Sequence, residues 1–354
     1  MKADIQSPEL AGAGGDGGTI VVDSGAVATE IKARGYWEQV WRRFKQDRIA
    51  MIGGIFIIVL LLSAFIGGPI AARIIGHGPD EIFANGVDAD TLQPVGPLTK
   101  ISTAPFPTAA GTKGFPDTFL ILGGDGQLGR DMFLRILYGA QTSLEVAVFA
   151  TLFAVSVGVL LGLLAGFFRG TVDTVVSRLT EIAMAFPVLL FIIAVSATVG
   201  AQLNGVTFGF LAPGVFTLTL IFGIFGWFYP CRIIRGQVLS LREKEFIEAA
   251  RMTGAGDWRI MRSHLLPHLV APIIVYSTLI VAGNIIGEAG LSFLGLGIQA
   301  PTASWGNLLA AGPDYYLTQP WLMVWPGLMI LLTTLAFNLL GDGLRDSFDP
   351  RHTT

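Results

Sequence analysis

Few residues in this 354-residue chain are of types that could do chemistry, and their spacing argues against most reactions. His264 and His268 stand four apart, an interval that puts two imidazoles on one helix face. Pro267 falls between them, however, and no glutamate completes an H-E-x-x-H zinc pattern, so a polar lining suits them better. Gly124-Asp125-Gly126-Gln127-Leu128-Gly129 fits the dinucleotide fingerprint G-x-G-x-x-G. That pattern carries meaning only between a strand and a helix, with an acidic ribose ligand roughly twenty residues on. Here it leads into a long apolar run, and no cofactor site is expected. No G-x-x-x-x-G-K-[ST] occurs, so the chain does not bind ATP through a P-loop of its own. Cys231 is the single cysteine, which excludes a disulfide framework and a cysteine metal site; among Trp227, Phe228 and Tyr229 it reads as a packed thiol. Glu145, Glu181 and Glu288 (the last near Asn284) lie at the expected ends of apolar runs, where headgroup solvation or helix capping is expected before a proton relay. No Ser/His/Asp set or carboxylate pair is visible within the runs.

The chemistry-bearing stretch that remains is Phe246 to Pro267, the longest charged segment in the second half, with apolar runs on both sides. Its grammar is helix, turn, helix. Ser240-Leu241-Arg242-Glu243 fits a capping box. Phe246, Ala249, Ala250 and Thr253 fall on one small-residue face, and Gly254 stands where a left-handed C-cap belongs. Glu248 then falls beyond the first turn, with Lys244 and Arg251 in reach as intrahelical partners. Asp257 can cap a second short helix carrying Trp258, Met261 and Leu265 on one side, until Pro267 stops it. A compact elbow of this kind, with both alanines outward, is shaped to dock into another protein's groove. An ordinary solvated loop is the plainer reading.

The elements that would position this elbow are membrane helices. Hydrophobic residues make up 52% of the chain and charged ones 14%, against roughly a quarter charged in soluble domains. The formal net charge of -3 argues against nucleic acid. Residues 1–30 are Gly- and Ala-rich without periodicity and read as a disordered tail, with no apolar core to make a signal peptide. Tyr36 to Arg48 suits an interfacial helix. Six runs near the ~20 residues of a bilayer span follow: Ile49–Ala72, Val146–Phe168, Ile182–Gly200, Pro213–Cys231, Leu269–Gly287 and Trp321–Gly341. The fold class is therefore all-α, with six transmembrane helices.

Orientation comes from the cations. With the N-terminus inside, seven Lys and Arg up to Arg48, Arg169, Arg178, seven more from Arg232 to Arg262, Arg345 and Arg351 face the cytoplasm. Only Arg73, Lys100, Lys113, Arg130 and Arg135 fall outside. Both termini and the elbow are thus expected on the cytoplasmic side, with Gly76–Gln141 outside. Gly158, Gly162, Gly166 and Gly170 recur every fourth residue, a stripe that permits close backbone approach, and Gly283 and Gly287 repeat the interval. Pro187, Pro272 and Pro326 can bend their helices.

Several stretches carry a family resemblance. EAARMTG followed by HLLP resembles the EAA loop of ABC-importer permeases, with Glu248, Ala249, Ala250, Gly254 and Pro267 in the defining places and Arg251 and Leu266 in the same motif. Gly123–Ala147, Gly287–Leu309 and Asn338–Arg351 resemble segments of the dipeptide/oligopeptide class, in the order of its C-type permease subunit. Two departures stand out: a longer outside loop, Gly76 to Leu122, with the Gly-rich tail, and Gly123-Gly124-Asp125 where the family has Gly-Thr-Asp. The resemblance implies a type I importer permease fold in the bacterial inner membrane, with a cytoplasmic coupling helix. It divides the chain into the tail 1–30, an interfacial helix and first span 31–75, an extracytoplasmic loop 76–138, a core 139–341 containing the elbow 240–267, and a C-terminal tail 342–354. It implies a second homologous permease, one or two P-loop ATPase subunits that bind ATP and Mg, a peptide-binding protein, and no catalytic, cofactor or metal residues in this chain. Cargo other than peptide, such as nickel or a haem-like compound, fits the same architecture. A membrane-embedded enzyme and a passive scaffold are the readings from other classes.

Overall fold

Inside a bilayer no water satisfies the backbone, so apolar runs of this length fold as helices. The computed structural model describes residues 36–111, 114–200 and 214–348, and its spanning elements are helical. The tail 1–30 lies outside the described residues. Five helices are long and apolar enough to cross a membrane, or six when one bent pair counts as a single span.

Helix α1 (Tyr36–Gln46) is amphipathic, with Trp37 and Trp41 exposed and Val40 and Phe44 buried. Asp47 follows it and caps α2 (Arg48–Ile75), its Oδ1 accepting from the amides of Ile49 at 2.9 Å and Ala50 at 3.1 Å. The segment after α2 forms a small subdomain. Strands β1 (Thr99–Ser102) and β2 (Asp117–Leu120) pair antiparallel, and Phe83, Ile101 and Leu120 make its core. β3 (Gly124–Asp125) and β4 (Arg130–Asp131) close a tight hairpin. The glycine pattern is thereby accounted for. Gly126 and Gly129 take φ of 48° and 61° at the turn, and Gly129 lies so close to Gly86 that neither leaves room for a β-carbon.

Helix α3 (Met132–Phe168) begins well before the expected Val146, because Asp131 caps it and its first turns pack on protein rather than lipid. Glu145 consequently lies inside a helix, not at its end. α4 (Gly170–Ala185) and α5 (Val188–Val195) meet at an 82° bend ahead of Pro187, so the expected third run straddles a break. α6 (Val215–Gly226) and α7 (Phe228–Leu241) make one candidate span, which carries on past Cys231. α8 (Glu245–Met252), α9 (Asp257–Phe293), α10 (Trp305–Ala310) and α11 (Trp321–Phe348) complete the described chain. Pro272 and Pro326 sit inside α9 and α11 without interrupting them.

Helix α3 is the centre of the packing. A core cluster joins its Met132, Ile136, Ala140, Leu144 and Ala147 to residues of α2, α9, α10 and α11. Along its other side run the glycines. A β-carbon at Gly158 would lie 2.6 Å from Cβ of Pro230, one at Gly162 2.5 Å from the Cys231 carbonyl, and one at Gly166 2.8 Å from Cβ of Val238. Here α3 and α7 touch backbone to backbone. Gly170 is not part of that seam; its φ of 60° belongs to the turn between α3 and α4. A β-carbon at Gly287 would meet the Phe222 ring at 3.1 Å, whereas one at Gly283 would meet nothing within 4 Å. α2 runs antiparallel to α11, since Ala50 lies against Gly343 near the end of α11 while Gly53, further along α2, approaches Ala336.

Candidate functional site

The elbow is built on the ends of three helices. Ile247 and Ala250 of α8 turn inward to a cluster formed with Leu163 and Phe167 of α3, Ile234 and Val238 of α7, and Ile260, Met261, Leu265 and Leu269 of α9. Arg242 fastens the same junction, donating to the carbonyls of Phe167 and Gly166 at the C-terminus of α3, where a cation also suits the helix dipole. Burial first, then the neighbouring Arg169 and Arg251, pull its guanidinium below the ordinary range. Arg251 lies over the Phe167 ring at 5.7 Å, and Arg169 pairs with Glu243.

The turn between the two arms is a Schellman motif. Gly254 has φ of 83°, its amide donates to Arg251, and Ala255 donates to Ala250 at 3.0 Å. Other local expectations do not hold. Ser240 lies inside α7, and α8 starts at Glu245 with Lys244 at its N-cap, so the capping box is absent. This later start brings Glu248 into the first turn, where its charge favours the helix dipole. Gly256, not Asp257, occupies the cap position of α9. Pro267 does not end the second arm: a π turn, Ile260–Leu265, widens the backbone just ahead of it, and the proline then opens an uninterrupted α-helix. The elbow's second arm is the beginning of the span itself.

The faces also differ from the expected ones. Ala249 is exposed, but Ala250 is only 8% exposed and belongs to the inner cluster. Glu248, Arg251, Gly254 and Pro267 lie on the surface and Leu266 is half-buried. Among the described residues no ion pair or hydrogen bond engages the Glu248 carboxylate, so Lys244 and Arg251 do not hold it. Met252 at 84% exposure and Trp258 at 62% extend the outer face. Trp258 therefore stands apart from buried Met261 and Leu265, with which it was expected to share a side. The three-residue interval of Phe246, Ala249 and Met252 is the signal that could have placed Met252 outward. His268 rests against the Phe246 ring at 5.1 Å, a packing role.

At the other end of α3 the structure gathers charges that spacing did not bring together. Asp125 Oδ2 accepts from Arg130 Nε at 3.1 Å and Nη2 at 2.8 Å and forms an ion pair with Arg135, whose Nε stands 2.7 Å away and whose side chain is almost wholly buried. Arg135 Nη1 also reaches Asp80 Oδ1 at 2.8 Å and the Pro301 carbonyl at 3.1 Å. Asp131 faces His77 at 3.5 Å. Burial raises the Asp131 carboxyl, against the lowering effect of the amides it caps and of His77. Beside this cluster a polar cavity of about 320 Å³ is lined by Asp80, Tyr138, Gln141, Glu145 and Thr302. Glu288, expected at headgroup level, is fully buried within α9. Ser292 Oγ donates to it at 2.6 Å, and the hydroxyls of Ser143 and Ser304 lie against it too. Among the described residues no group of three His, Cys, Asp or Glu could hold a metal ion.

Comparison with known proteins bears on these features. A family model described as "Binding-protein-dependent transport system inner membrane component" matches residues 158–354. A second, "N-terminal TM domain of oligopeptide transport permease C", matches residues 35–94. The chain is similar to the protein named glutathione transport system permease protein GsiD from Escherichia coli, 38% identical over 315 residues, 89% of this chain and 90% of the relative. The protein of the same name from Pectobacterium atrosepticum is 35% identical over 325 residues, 92% of this chain and 94% of the relative. Among solved structures, one of inward-facing conformations of the MetNI methionine ABC transporter aligns at a TM-score of 0.49 and 17% identity, covering 62% of this chain and 98% of that one.

Proposed function

The chain belongs to the family of binding-protein-dependent transport-system inner-membrane components, and on that premise we propose that the Glu245–Pro267 elbow is where a partner ATPase drives it. It is a permease of an ABC importer for peptide-like substrates and a multi-pass inner-membrane protein. It is not itself an enzyme and carries no cofactor; ATP is handled by a partner ATPase.

Within that class the cargo is a dipeptide or oligopeptide. The relatives named for glutathione transport support a short-peptide cargo, since glutathione is a tripeptide. The partners are a second homologous permease, one or two cytoplasmic P-loop ATPase subunits and an extracytoplasmic peptide-binding protein. The distribution of Lys and Arg supports a cytoplasmic placement of the elbow and both termini.

One observation carries the coupling role. The inner face of α8 is buried in the ends of α3, α7 and α9, while the outer face presents an unpaired Glu248 among Ala249, Met252 and Trp258. A push on the outer face is therefore delivered to three spans at once. A basic ATPase residue pairing with Glu248 would make the contact depend on the state of the ATPase, which is what shifting a conformational equilibrium requires. Loss of the charge against a buried basic partner costs on the order of 3–5 kcal/mol. Glu248→Gln is expected to leave an assembled complex whose ATP turnover is no longer stimulated by peptide-loaded binding protein. Wild-type stimulation and peptide uptake in the reconstituted variant would return the elbow to an ordinary loop.

A further inference from the structure

Two leucines of the segment between α2 and α3 are held in a backbone region that favours glycine. Leu92 has φ of 53° and Leu98 φ of 59°, and their side chains are 70% and 68% exposed. Neither conformation is slack. The Leu92 amide donates to the Asp88 carbonyl at 2.9 Å, and the Asp88 amide donates to the Gln93 carbonyl at 2.8 Å. The Asp88 carboxylate accepts from the amides of Asp90 and Thr91 and from the Thr91 hydroxyl, closing the turn. The Leu98 amide donates to the Ile121 carbonyl at 3.1 Å, at the mouth of the β1–β2 ladder. A glycine at either site would relieve the backbone; a leucine there places an apolar side chain outward at the expense of local strain.

What lies beneath them is fixed by the residues between. Gln93 pairs with Gln319 at 3.4 Å, and a β-carbon at Gly96 would meet the Trp321 ring at 3.8 Å. Trp321 is the first residue of α11, one of the helices able to cross the bilayer. The stretch 93–96 thus lies against the end of a span, and each leucine is within two residues of it. Tyr316 and Leu317, just before α11, and Ile74, at the same end of antiparallel α2, are exposed as well. These exposed apolar side chains lie beside one end of helices able to cross the bilayer, and the acidic Asp88 and Asp90 beside Leu92 do not favour an anionic leaflet.

We infer that Leu92 and Leu98 seat this subdomain in the interfacial layer of the membrane, inserted among zwitterionic headgroups and the first acyl carbons. The inference requires that α11 spans the bilayer, and it is independent of the elbow's role. The test places a nitroxide at Leu92→Cys or Leu98→Cys, on Cys231→Ser, in the full chain assembled in phosphatidylcholine nanodiscs. Collisional relaxation by oxygen is then compared with relaxation by a water-soluble nickel chelate. The expected result is an oxygen preference several-fold above that of Asp90→Cys, which points to water. A label at Pro97, an exposed neighbour that leaves both leucines and the Asp88 turn in place, gives the same preference if the leucine variants do not assemble. A nickel preference equal to that at Asp90 overturns the inference. So does protection from both reagents, the mark of a protein cover such as the second permease or the binding protein.

Discussion

Removing the Asp125 carboxylate would leave two guanidiniums competing for what remains, and Arg135 has almost no access to water. Asp125→Ala is expected to cost about 3–5 kcal/mol, read as a lowered thermal midpoint of the purified complex. Arg135→Lys is not conservative either, because a single ammonium does not span Asp125, Asp80 and the Pro301 carbonyl. Asp88 gives a prediction in pH. The Thr91 amide and then its hydroxyl hold that carboxyl below its ordinary value, so its contribution to the turn is present above the unfolded value and is lost as pH falls through the lowered one. A spin label at Leu92 should stay immobile down to about pH 4 and loosen only below it. Sequence reading stops short at this scale. The types of Asp125, Arg130 and Arg135 are visible in the chain, but a buried cluster depends on a hairpin whose signal resembled a cofactor fingerprint. Glu288 was misplaced for a related reason: hydropathy locates the end of an apolar run, not the end of a helix that continues under a protein loop.

Helix pairs carry the next prediction. Gly162→Leu must displace the Cys231 carbonyl or Ile234, and parting α3 from α7 also opens the junction that Arg242 fastens. Overpacking of this kind typically costs about 1–3 kcal/mol, and here it strikes backbone. Loss of the assembled complex on size exclusion is expected, whereas Gly283→Ala, with nothing within 4 Å, should leave this chain's fold intact. A four-residue glycine interval announces a close contact but not its partner, and it overran at Gly170, where the same residue serves a turn. The elbow shows the same division. Gly254 was legible because only a left-handed cap explains a glycine there, while Pro267 misled because a proline reads as a stop until a π turn precedes it.

For the whole molecule, the proposed sidedness is measured with two cysteines on a Cys231→Ser background. Asp90→Cys should react with an impermeant thiol reagent in intact cells, and Met252→Cys only after permeabilisation; the reverse pattern would invert the proposed topology. The helical class was legible because twenty-residue apolar runs leave the backbone little choice, and of the six expected runs five fall on helices able to cross a membrane. The 82° bend between α4 and α5 was not, since Pro187 marks a weak point without giving its angle. Helix α9 has a mechanical property that follows from its unbroken course. At 1.5 Å per residue its 37 residues form a rod about 55 Å long, from the elbow at Asp257 to Phe293, with Glu288 near the far tip. It is a lever, with the π turn Ile260–Leu265 and Pro272 as its softer points. A tilt imposed at the elbow end arrives at the serine-held carboxylate of Glu288 without any relay of side chains. The proposed ATPase contact and the Glu288 end of the span thus belong to one continuous helix.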